Sequence, residues 1–150
     1  MTKQQQRIER ICDVEREYFA VKSALRLLGE QIRNNPAWGD LEGWGTRDVV
    51  NSMDRLEATY IIRLFAEFES GVREVWKFYY KKTRKPRMVS LLTSLATQRI
   101  SKDQVDGVDE VRVLRNFLVH DEINTLPVTI SLEEAKSRLC RYFSQMPRDW

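Results

Sequence analysis

Between Gln4 and Arg33 apolar side chains recur at alternating gaps of three and four: Ile11, Val14, Tyr18, Val21, Leu25, Leu28 and Ile32. That period belongs to an α-helix with one greasy stripe, and Arg, Glu and Lys fill its other faces. Asn34-Asn35-Pro36 ends the run, because proline cannot continue the hydrogen-bond ladder and disfavours helix at the residue before it. A stripe this long commits the chain to helix-on-helix packing. Six glycines and four prolines in 150 residues are also too few for the turns of a many-stranded sheet.

A second long helix is predicted from about Arg47 to Lys82. Ile62, Phe65, Val72, Trp76 and Tyr79 mark its buried stripe, broadened by Ile61, Phe68, Val75 and Tyr80. Glu67 and Glu74 project toward water, whereas Glu69 falls inside the stripe. A carboxylate there either wants a cation, with Arg115 the candidate, or drifts to a solvated edge. Met88 to Gln98 makes a short third helix with Leu91, Leu92 and Leu95 inward. A fourth, capped by Ser101 or Asp103, runs to about His120. The span from Asp121 to Ile130 is an irregular linker, within which Leu126-Pro-Val-Thr-Ile could extend as a strand. Ser131-Leu-Glu-Glu opens the last helix as a capping box, and Leu139, Tyr142, Phe143 and Met146 pack from it. The sum is one all-α domain over residues 1–150, an up-and-down bundle of about five helices, two of them long.

Composition narrows the partners. A formal charge of +3 permits an anionic partner without demanding one. No apolar run reaches membrane-spanning length, and Met-Thr-Lys-Gln-Gln-Gln lacks the apolar heart of a secretion signal, so a cytoplasmic protein is expected. Cys12 and Cys140 have neither metal nor redox spacing and are read as two buried thiols. With His120 the only histidine, a zinc site of imidazole and thiolate ligands within one chain is nearly excluded. Acid–base chemistry near neutral pH would fall to His120.

Two surface features stay open. Trp38-Gly39 and Trp44-Gly45 lie in the loop of residues 34–46, either capping one end of the bundle or presenting an aromatic pair to a partner or nucleobase. Lys81, Lys82, Arg84, Lys85 and Arg87 make up the most basic run, interrupted by Pro86. It is either a solvated connection or a place where phosphates gather.

Val111 to Asp121 carries the densest chemistry. Arg112, Asn116 and His120 are successive fourth residues and form one polar line. Arg115 instead continues the apolar row of Val108, Val111 and Leu118, which aims it between helices, toward Glu69. His120 closes the helix, where the backbone dipole favours a protonated ring, so it serves as a structural cap or as a catalyst.

Arg115-Asn116-Phe-Leu-Val-His120 resembles the signature of the HEPN superfamily: an arginine, a polar residue that is often asparagine, and a histidine after four to six intervening residues. Two long antiparallel helices followed by shorter ones, with the motif late in the chain, are similar too. The resemblance covers most of the chain in architecture and six residues in motif. It implies a homodimer whose motif helices meet across a cleft, which in active members is a metal-independent endoribonuclease site needing no cofactor. Arg115, Asn116 and His120 would be the catalytic residues, and Glu69 the acidic support of the arginine. Arg112 and the basic run would hold flanking RNA phosphates.

The residue types suit that chemistry. An imidazole can remove the proton from a ribose 2′-hydroxyl, and a guanidinium can stabilise charge on the attacked phosphate. The products would carry a 2′,3′-cyclic phosphate and a 5′-hydroxyl. Such an enzyme fits a toxin–antitoxin or phage-defence pair, with an antitoxin or defence protein as partner. The alternatives are a non-catalytic HEPN-like module binding nucleotides or a protein, and a purely structural bundle.

Overall fold

Helices of 32 and 35 residues, α1 (Lys3–Asn34) and α2 (Thr46–Tyr80), form the frame of the computed structural model. They are followed by α3 (Met88–Leu95), α4 (Lys102–His120) and α5 (Leu132–Ser144). The structure describes residues 1–38, 43–81, 86–96, 99–120 and 129–150. Among these residues there is no strand, and no helix is long and apolar enough to cross a membrane. Residues 126–128 of the expected strand lie outside the described residues, while Thr129 and Ile130 are irregular.

Cross-helix pairs fix the directions. Arg7 binds Glu74, Glu17 binds Arg63, Tyr18 meets Tyr60 edge-on at 5.7 Å, and Gly29 faces Val49. Residue numbers rise on one helix as they fall on the other, so α1 and α2 are antiparallel. By the same test α5 runs parallel to α2, since Glu57 accepts from the Leu132 N–H and Gly71 lies under Phe143. It runs antiparallel to α1, because Gln4 meets residues 143–146 and Glu15 meets Lys136. The result is an up-and-down helical bundle.

The ends are capped by local chemistry. Thr2 and Gln5 form a capping box on α1, and Ser101 and Gln104 exchange the same two bonds on α4. Ser131 accepts from the Glu134 N–H at 3.2 Å. Buried Gln4 sends its side-chain amide to the carbonyls of Phe143, Ser144 and Met146 at 3.2, 2.9 and 2.7 Å, which caps the carbonyl end of α5. The helix expected to reach Lys82 stops at Tyr80, because Lys81 turns left-handed (φ 45°, ψ 28°).

The core centres on Phe65, Phe68, Tyr142 and Phe143, with Phe68 contacting the other three at centroid distances of 5.7–6.0 Å. Tyr142 donates to the Leu92 carbonyl at 2.8 Å, which ties α3 to α5, and burial raises its phenol pKa. The stripe expected on α2 is corrected at its far end, where Tyr79 and Tyr80 are exposed and Trp76 only half-buried, and in mid-helix at Ile62, which is half-buried. Leu64 is fully buried instead. A 35-residue helix outruns the neighbours available to cover it, so its last turn keeps the pattern without the burial. Glu74, expected to face water, pairs with Arg7 across the helix interface at 2.6 Å.

Candidate functional site

Arg115 projects from α4 toward α2 as its place in the apolar row demands, and its side chain is 29% exposed. Its Nη2 lies 3.9 Å from a Glu69 carboxylate oxygen, a long ion pair, and its guanidinium sits 5.8 Å from the Phe65 ring centroid. Its Nη1 donates to Asn116 Oδ1 at 3.0 Å, and its Nε–H is buried without a partner among the described residues. The arginine is therefore positioned but incompletely neutralised. The buried Nε–H is out of an anion's reach, so any anion would meet the part of the guanidinium that stays open to solvent.

Glu69 has a closer partner that the sequence reading missed. Arg73, one turn on, binds it at 2.6 Å and spans to the Pro86 carbonyl at 3.2 Å. The signal was the Glu69–Arg73 spacing of four on one helix, a pair that normally counts as a surface ornament. Two guanidiniums around one carboxylate leave a half-buried cluster of net positive charge. The bond to Pro86 also ties the end of the basic connection to that cluster.

The polar line on α4 divides. Arg112 is held by Asp109 through two hydrogen bonds at 2.6 and 3.3 Å, so its charge is largely compensated. Asn116 is half-buried, and His120 is exposed on the final turn of α4. Helical geometry sets Arg115 and His120 about 140° apart around the axis, and Asn116 only about 40° from His120. Asn116 thus links the face carrying the arginine to the face carrying the histidine. Beside that line Val113 and Val119 are exposed, an apolar contribution to the outer surface of α4.

Of the basic run, Lys81 and Arg87 are exposed, whereas Lys82, Arg84 and Lys85 lie outside the described residues, as does Asp121. Trp38 and Trp44 meet edge-on at 5.7 Å and are half-buried. A recess of about 400 Å³ between α2 and α4, lined by Arg55, Ile62, Phe117, Leu118 and Val119 among others, adjoins the turn that carries His120. A larger recess of about 700 Å³ lies away from this site, between α4 and α5. Its Arg138 is already occupied by Glu110 and Glu134. Comparisons of the chain with protein-family models, with curated proteins and with solved structures each return no match.

Proposed function

We propose that the chain is a metal-independent endoribonuclease of HEPN type, working as a homodimer in which two α4 helices face each other across a cleft. The observation that carries this reading is Arg115: held by Asn116, only distantly balanced by Glu69 at 3.9 Å, and with part of its side chain still open to solvent. The exposed His120 one turn beyond Asn116 adds a proton carrier, and exposed Val113 and Val119 give the outer face of α4 apolar area for a second copy. In the reaction His120 takes the proton of a ribose 2′-hydroxyl, whose oxygen then bonds to the adjacent phosphorus. Arg115 stabilises the negative charge that develops. The bond to the 5′-oxygen breaks, and that oxygen takes up a proton from the partner subunit's His120. A 2′,3′-cyclic phosphate and a 5′-hydroxyl result.

Purified protein incubated with fluorescent single-stranded RNA in EDTA should cut it and leave those termini. His120→Ala and Arg115→Ala should each lower the rate by about 100-fold or more. Equal degradation by wild type and both variants would sink the enzymatic reading. Sedimentation as a monomer at the assay concentration would sink the composite cleft. As a toxin or defence component restrained by an antitoxin, the wild type should arrest growth of an expression host, and His120→Ala should relieve the arrest.

The pairing of Arg112 with Asp109 and the half-burial of Arg115 favour a second reading, a non-catalytic module that binds nucleotides or a protein partner. Nucleotide binding that survives His120→Ala, with no cleavage by wild type, would select it.

A further inference from the structure

The last turn of α2 leaves more aromatic surface uncovered than packing requires. Phe78 and Tyr79 are 53% and 49% exposed and stand edge to face at 5.2 Å. Phe78 lines a shallow recess of about 370 Å³ with Lys3, Lys77, Lys81 and Glu74, and buried Trp150 lines its wall. Lys3, Lys77 and Lys81 are themselves exposed. The charge there is positive. Glu74 is already bound by Arg7 through Nε and Nη2. Asp149, the other nearby acid, accepts from the Lys3 backbone N–H. Three ammonium groups around the Phe78 ring, with the Tyr79 ring against it, match a ligand that carries anionic charge and flat apolar faces together. Single-stranded nucleic acid has both, because its phosphates seek the lysines and its unpaired bases stack on the rings.

We infer that Lys3, Lys77, Lys81, Phe78 and Tyr79 form a second RNA-contacting surface, which binds an unpaired stretch of the substrate strand away from the candidate cleavage site. The inference rests on the proposed function for its choice of RNA. Phe78 follows Glu69 by nine residues, about 180° around α2 and about 13 Å along it. A base stacked on Phe78 therefore lies on the far side of α2 from Glu69, with Lys77 and Tyr79 about 80° from Glu69 on either side. The surface would add affinity for long substrates without touching the reacting phosphate.

The test uses the full chain carrying His120→Ala, so that RNA remains intact, and fluorescence anisotropy of a labelled 12-nucleotide oligouridylate. Adding Tyr79→Ala or Phe78→Ala should weaken binding about tenfold with the salt dependence unchanged. Adding Lys77→Ala with Lys81→Ala should weaken binding and lower the slope of log K against log salt by about 1.4. Unaltered binding in all of these variants overturns the surface. So does equal affinity for a 12-base-pair duplex, whose bases cannot reach the rings, or a greater loss of binding to anionic vesicles than to RNA. With His120 intact, Tyr79→Ala should raise KM for a long RNA and leave cleavage of a dinucleotide unchanged. Dinucleotide cleavage with no effect of the aromatic variants on binding discards this surface and keeps the nuclease. Binding that depends on the rings, with no cleavage of any RNA, discards the nuclease and keeps the surface.

Discussion

At the scale of single residues, placement decides chemistry. Arg115 is held on one side by Asn116 and on another by Glu69, and Glu69 is itself shared with Arg73. Removing Glu69 would leave two half-buried cations facing each other. The cysteines make the same point. They stand near opposite ends of the chain and were expected to be isolated, buried thiols. Instead both are half-buried, and α1 and α5 bring them close enough to interact, a turn from the Glu15–Lys136 pair at 2.8 Å. Burial, with Cys12 adding to it, pushes the Cys140 thiol up to about 12. Because the thiolate is the nucleophile, only about one Cys140 in ten thousand is reactive at pH 8. Mass spectrometry after iodoacetamide treatment should find Cys140 unmodified in the native protein and fully modified in urea. Rapid native labelling would mean that the α1–α5 contact opens.

At the scale of helices, the bundle depends on close approaches that periodicity does not show. Gly71 is such a position: an added Cβ would stand 2.9 Å from two atoms of the Phe143 ring and 3.3 Å from Arg7 Cδ. Phe143 is fully buried and has no room to retreat. Gly71→Ala gains helix propensity of about 1 kcal/mol. It forces α5 away from α2, however, at a cost of about 1–3 kcal/mol. Net destabilisation is expected, read as a lower urea midpoint at unchanged slope; a higher midpoint would show the helices free to shift. Which residues make each helix was legible, since the apolar gaps located all five. Which face each turn buries was legible only where a neighbour exists, and so Tyr79 and Tyr80 carried the pattern to the end of α2 without being buried.

At the scale of the whole molecule, titrating groups at the helix junctions set the pH range of stability. Burial works to raise the Glu74 carboxyl, but the hydrogen bond and charge of Arg7 outweigh it, aided by Trp150 and Lys3, and hold it below the ordinary value. Its stabilising share is complete above about pH 4.3, the unfolded value, and is lost as pH falls through the lowered folded value. Tyr142 is raised by burial. Lys136 is raised by its hydrogen bond to Glu15, against burial. Their shares are complete below about pH 10 and are lost as pH climbs through the raised folded values. The melting temperature followed by circular dichroism should form a plateau that falls at both ends. Glu74→Gln should flatten the acid limb and Tyr142→Phe the alkaline limb, and unchanged limbs would refute these assignments.

The sequence by itself determined the helical class, the two long helices and the candidate row on α4, because backbone hydrogen bonding and side-chain period are properties of neighbours along one chain. It also singled out Glu69 and Arg115, since charge within an apolar row is visible in a string of letters. The Glu69–Arg73 and Asp109–Arg112 pairs were present in the spacing along one helix, whereas only the tertiary structure decided that Glu74 belongs to Arg7 and Glu110 to Arg138. The nearness of Cys12 to Cys140 and the uncovered rings beyond Lys77 were likewise beyond the sequence. A charge takes whichever partner the packing brings within a few ångströms, and that choice depends on helix register and length rather than on any local pattern.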